Sequence, residues 1–230
     1  MTVRGENISK QFMRKGKGTN CFYAVENCDF TLSVGKITVI MGRSGSGKST
    51  FLNMLSGLLA PTSGKIFYGD TDIYSLDDKQ LSLFRNENIG VIPQGQTALQ
   101  SLTVLENVCM PATLYGGPAK CSEYALHLLE KLGIAELRDS MPSELSGGEL
   151  RRMSIARAMV NDPSVILADE PTGDLDDENT EIVLKLLKGK AAEGVSVFLV
   201  THENEAKDYA DDFYVMKKGV ICKGGNDEGL

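Results

Sequence analysis

Residues 42–50 read GRSGSGKST, a string whose residue types suit the capture of phosphate. It fits the pattern G-x-x-x-x-G-K-[ST], in which a glycine-rich turn hands over to a helix. Gly42, Gly45 and Gly47 free the backbone to curl so that successive N–H groups converge on phosphate oxygens, where a Cβ would obstruct them. Arg43, Ser44, Ser46 and Thr50 belong to the same cradle, Arg43 through its backbone alone. Lys48 is expected to neutralise the β- and γ-phosphates of a nucleotide, and Ser49 to offer its hydroxyl to Mg²⁺.

A second chemical signal lies in SVILADEPTGDLD, where an apolar run ends in Asp169 and Glu170. An apolar strand that ends in a carboxylate places negative charge at the carboxyl edge of a sheet, where open α/β folds bind ligands. Asp169 is expected on the Mg²⁺ side, acting through water because that ion sheds its hydration shell reluctantly. Glu170 stands one residue further out, free to polarise an attacking water as general base. Alone, the Asp-Glu pair could merely close a strand before a proline turn; beside a phosphate loop the chemical reading prevails.

The elements that must hold these groups are legible in outline. ITVIM (37–41) is a short β-rich run before the glycine turn, and KSTFLNMLSGLL after it has helical content. SVILA (164–168) and VSVFLV (195–200) are continuous apolar runs, expected of strands buried on both faces of a mostly parallel sheet. DENTEIVLKLLKGK between them reads as a crossover helix, completing a βαβ unit. Within 120–132, Ala125, Leu128, Leu129 and Leu132 stand at i, i+3, i+4 and i+7, and Gly133 follows where a helix end favours glycine.

At ELSGGELRRMSIARA (144–158) the chain resembles the ABC ATPase family, whose signature L-S-G-G-[QE] opens a helix. Leu145, Ser146, Gly147, Gly148 and Glu149 carry the resemblance, and a helix N-terminus with glycines and a hydroxyl is an anion site. The resemblance implies a P-loop NTPase of class α/β, with a RecA-like core, an N-terminal antiparallel β subdomain and an inserted α-helical subdomain. The implied division is a core of about 1–94 and 161–230 with a helical part of about 95–160. It also implies a head-to-tail dimer of two copies, each ATP held between Lys48 of one and Ser146 of the other. Gln94 then matches the glutamine that reaches Mg²⁺ and the attacking water, Asp176 the aspartate of the dimer-contact loop, and His202 the histidine at the γ-phosphate. Phe12 matches the aromatic that stacks on adenine, with Tyr23 as the alternative and a place in the core as the competing use of Phe12. His127, in the expected helix of the insertion, has no motif around it.

More narrowly, DEPTGDLDDENT and LTVLENVCMPATLYG look like the branch of lipoprotein-releasing, macrolide-efflux, cell-division and antimicrobial-peptide-resistance ATPases. This implies an ATP-hydrolysing subunit that drives a separate membrane permease for export or extraction of a peptide, lipoprotein or drug, peripheral on the cytoplasmic face. An ATPase of a non-transporting cell-division complex and a soluble ATPase of iron–sulfur cluster assembly are the alternatives. Two departures stand out: PQGQTALQSLTV lacks the bulky aromatic common after the glutamine, and LRR replaces the usual glutamine-rich continuation of the signature.

Composition agrees. The chain of 230 residues is 42% hydrophobic and 24% charged, inside the globular range. Its net charge of -7, with only Arg14, Lys15 and Lys17 as a short basic cluster, argues against a nucleic-acid partner. The five cysteines are odd in number and include no C-x-x-C pair, which argues against a disulfide framework or zinc site and suits a reducing compartment. MTVRGENISKQF has no apolar stretch of the kind a secretory signal needs, and no apolar run approaches the ~20 residues that span a bilayer.

Overall fold

A computed structural model describes residues 1–14, 20–95, 97–115, 121–173 and 175–224. Lys15 and Lys17 of the basic cluster, and Asp174 of the GDLDD string, lie outside the described residues, as does the side chain of Arg14.

The first sheet is antiparallel and has the order β2-β1-β4-β5, from β1 (Val3–Arg14), β2 (Asn20–Leu32), β4 (Ser63–Tyr68) and β5 (Thr71–Asp72). The second has the order β10-β9-β3-β8-β7-β6 and is parallel from β9 to β6. Its strands are β3 (Ile37–Met41), β6 (Ile89–Ile92), β7 (Val165–Asp169), β8 (Ser196–Thr201), β9 (Asp212–Lys217) and β10 (Val220–Lys223). Every residue of β3, β7 and β8 is buried, which is why these strands read as unbroken apolar runs.

The pleat sends alternate side chains into two separate cores. Val39 of β3, Ile166 of β7 and Val197 of β8 join one core with α3 (Val104–Thr113), α4 (Cys121–Lys131), α5 (Gly147–Met159) and α6 (Asp177–Ala192). Ile40, Leu167 and Phe198, their neighbours in sequence, join the other core with α1 (Lys48–Leu55) and the antiparallel sheet. The parallel sheet is therefore the middle layer, and the helices of the insertion share a continuous core with one of its faces.

The helix expected over 120–132 is α4, with Ala125, Leu128, Leu129 and Leu132 buried and Gly133 at φ 65° after its end. The crossover between β7 and β8 is α6. Helix α2 (Asp78–Asn88), not among the helices expected from the sequence, has no fully buried residue and rests on the core through half-buried Leu81 and Phe84; the Asp77–Gln80 capping box starts it. Among the described residues no helix is long and apolar enough to cross a membrane.

Candidate active site

The glycine turn leaves β3 at Met41 and enters α1 through Gly47, whose φ of 110° no L side chain adopts comfortably. A Cβ on Gly47 would stand 2.0 Å from the Ala24 carbonyl oxygen of β2, and one on Gly42 would stand 2.4 Å from that of Met216 in β9. These two glycines make room for neighbouring backbone, a different reason from the open approach to phosphate expected of them. Gly45, at φ 76° with open space where a Cβ would point, needs glycine for its conformation alone. Ser46 also departs from the simple picture: it is buried and its hydroxyl has no partner among the described residues, while its carbonyl accepts from the Gly219 N–H at 2.9 Å. Arg43, Ser44, Ser49 and Thr50 line the cleft itself. Lys48 folds back, its Nζ donating to the Gly42 carbonyl at 2.6 Å and to that of Arg43 at 3.3 Å.

The same cleft, of 820 Å³, brings together Lys48, Ser49, Gln94, Asp169, Glu170 and His202 from four separate stretches of chain. Asp169 ends β7 and is buried, which pushes its carboxyl above the usual range; the Ser49 hydroxyl bonded to it opposes that shift, Glu170 adds to it, and Lys48 and Arg151 oppose it. Glu170 sits at φ 50°, a left-handed conformation that costs about 1–3 kcal/mol outside glycine. Its N–H donates to the Val200 carbonyl at 2.7 Å and its carbonyl accepts from the Gly173 N–H at 3.2 Å. The Glu170 carboxylate faces His202, with 2.9 Å between Oε1 and Nδ1 and 3.3 Å from the His202 backbone N–H to Oε2. The hydrogen bond and charge of Glu170 hold the His202 imidazole above its ordinary pKa.

Three aromatics line the cleft as well: Phe12, Tyr23 and, missed in the sequence, Phe22. Phe12 and Phe22 are directly opposed across the β1–β2 ladder, their ring centroids 5.9 Å apart at 30°. Both named candidates for an aromatic platform therefore reach the cleft, and Phe22 pairs with the first.

The signature residues do not join this cleft. Ser146 caps α5: its Oγ accepts from the Glu149 N–H at 3.3 Å, while its own N–H and hydroxyl both donate to the Glu149 carboxylate at 2.7 Å. Those bonds hold the Glu149 carboxyl below its usual range. Leu145 packs on the core, Gly148 is half-buried, and Gly147 lines a neighbouring cavity of 190 Å³ with Gln94, Glu170 and His202. Asp176 is exposed and caps α6, its Oδ1 accepting from the N–H and the side-chain amide of Asn179, each at 2.8 Å. His127 is exposed on α4 and stacks on Tyr124, away from the cleft.

Residues 25–173 match the family described as ABC transporter. The chain belongs to that family. It is 43% identical over 198 residues to the lipoprotein-releasing system ATP-binding protein LolD of Treponema denticola, an overlap of 85% of this chain and 88% of that one. It is also 40% identical over 222 residues to the methionine import ATP-binding protein MetN of Rhizobium meliloti, covering 95% of this chain and 62% of that longer protein. Among solved structures, the dimeric post-hydrolysis state of the ATP-binding cassette MJ0796 bound to ADP and Pi has a TM-score of 0.88 at 33% identity, covering 96% of this chain and 98% of that one. This ABC chain is thus an ATP-binding subunit and an ATPase, with the α/β cassette fold, antiparallel subdomain and helical insertion expected of it.

Proposed function

We propose that two copies of the chain close head to tail around ATP, that Glu170 of each takes a proton from the attacking water, and that the cycle of closing and opening drives separate permease chains. The observation that carries this reading is the placement of the Glu170 carboxylate beside His202 in the cleft that also holds Lys48. Gln94 is exposed in the same cleft, where its amide can orient the water, and the Phe12–Phe22 pair offers a face for adenine.

The residues fit Mg²⁺. Ser49, Asp169 and the Gln94 amide supply hard oxygen donors, the ligand type suited to an ion that keeps several waters and binds phosphate. Bound there, it would neutralise charge on the phosphates.

Each nucleotide would lie between Lys48 of one copy and the Ser146 turn of the other. Support comes from the single chain itself, whose Ser146 lies outside the Lys48 cleft. The helical part of about 95–160 carries that turn, and its exposed Leu99, Leu114 and Tyr115 suit a short permease helix at a membrane's cytoplasmic face. The similarity to LolD supports export or extraction of a peptide, lipoprotein or drug, a lipoprotein foremost.

Glu170→Gln tests the core of this. It should keep ATP affinity, lower turnover by about 10²–10⁴-fold and run as a dimer on size exclusion in saturating ATP. Hydrolysis at the normal rate, or a monomer in saturating ATP, would remove Glu170 from the role.

A further inference from the structure

Where the signature of this family usually continues with glutamines, this chain has Leu150, Arg151 and Arg152, and all three are buried. Arg151 leaves the first turns of α5 and reaches the end of β7. Its Nε donates to the Pro171 carbonyl at 3.0 Å, and one terminal nitrogen donates to the Asp169 carbonyl at 2.7 Å and also to that of Glu170. The other terminal nitrogen donates to the Pro93 carbonyl, immediately before Gln94. One guanidinium therefore gathers three consecutive carbonyls of the turn that carries Glu170, and a fourth from the loop that carries Gln94.

The turn needs such a partner. At φ 50° Glu170 occupies a conformation that a non-glycine residue keeps only when its surroundings over-determine it. A glutamine in place of Arg151 would bring two N–H donors rather than the five of a fixed planar fork, and could not satisfy all these carbonyls. Further along α5, Arg157 donates to the Thr97 carbonyl at 2.8 Å, so the loop is gripped by the same helix on both sides of Gln94.

We infer that Arg151 is a positioning residue for hydrolysis: it fixes the backbone under Glu170, and so the aim of its carboxylate, to the helix that begins with the Ser146 turn. The inference rests on Glu170 being the general base. Movement of α5 is then transmitted through one side chain to the group that activates water. Arg151 donates to the backbone beneath Glu170 and acts through that residue.

Single-turnover hydrolysis and ATP affinity, measured for Arg151→Met and Arg151→Lys in the wild-type and Glu170→Gln backgrounds, test this. In the wild-type background Arg151→Met should lower the rate about 10–100-fold with ATP affinity within about 3-fold, because a base displaced by about 1 Å loses that much. Arg151→Lys, which keeps the charge and a smaller donor set, should recover part of the rate and serves in its place if the methionine variant does not fold. In the Glu170→Gln background either change should cost less than about 3-fold, since the group it positions is gone. An Arg151 effect that persists undiminished there, an unchanged rate in the wild-type background, or a loss of ATP affinity in step with rate would each overturn the inference while leaving the base intact. A Glu170→Gln single variant with the wild-type rate would remove both.

Discussion

The chain has two glycine-rich turns that open helices, and they are built on opposite plans. The turn at 42–47 is locked from outside: the carbonyls of Ala24 and Met216 close on Gly47 and Gly42, and Gly219 donates to Ser46. The turn at 145–149 is closed on itself, with Ser146 and Glu149 satisfying each other in a capping box and the serine exposed. A turn held by its own protein can be complete before any ligand arrives. A turn whose hydroxyl is already bonded to its neighbouring carboxylate must exchange that bond to hold an anion. The first plan suits a site that binds nucleotide in the isolated chain, and the second suits a surface that engages nucleotide when another copy presents it.

The largest effect expected from this contrast belongs to Gly47→Ala. The added methyl would meet a backbone oxygen at 2.0 Å, in a conformation of φ 110° that alanine disfavours, so neither side can yield cheaply. The cost should be about 2–4 kcal/mol of stability, with nucleotide binding lost as the turn moves. Thermal unfolding and titration with a fluorescent ATP analogue would show both. An alanine variant of near-normal stability that still binds nucleotide would mean that the turn is not locked from outside.

Ser146→Ala should be milder and of a different kind. Loss of the cap costs about 1 kcal/mol, a shift in Tm of about 2–4 °C for a chain of this size. ATP affinity of the single chain should stay unchanged while hydrolysis at saturating ATP falls. A parallel loss of affinity, comparable to that of Gly47→Ala, would place both turns in one site of one chain and end the contrast.

The positions of the two turns were legible in the sequence because each carries its own local pattern, but the reasons for their glycines were not. Those of Gly42 and Gly47 lie in β9 and β2, strands brought alongside only by the fold. The strands β3, β7 and β8 were readable because burial on both faces leaves no polar alternation to confuse them. Helix α4 was readable for the opposite reason, a single apolar stripe. Phe22 was not, since its partnership with Phe12 depends on a β1–β2 register that shifts several times between Gly5 and Gln11. Arg151 was visible only as a departure from the family's pattern; the carbonyls that give it a purpose come from residues 93 and 169–171, far along the chain.

The smallest effect sharpens the contrast most, because it separates the cleft lined by the first turn from the second turn by proton affinity rather than by damage. His202 titrates above its ordinary value of 6.5 because the Glu170 carboxylate accepts a hydrogen bond from the imidazolium and attracts its charge, and Glu149 titrates below its ordinary 4.5 because Ser146 donates to it. The linkage signs are opposite. The His202 pair stabilises the fold below pH 6.5 and fades as pH rises through the raised folded value, whereas the Glu149 bonds stabilise it above pH 4.5 and fade as pH falls through the lowered one. Since 72% of the His202 side chain remains exposed, solvent keeps the stability effect small, and NMR titration is the better measurement. With only two histidines in the chain, the His202 resonance can be assigned against His127. Glu170→Gln should return its midpoint toward the ordinary value, and Ser146→Ala should leave it where it was. A His202 midpoint that follows Ser146 would show that the cleft and the second turn already communicate within one chain, without nucleotide or a second copy.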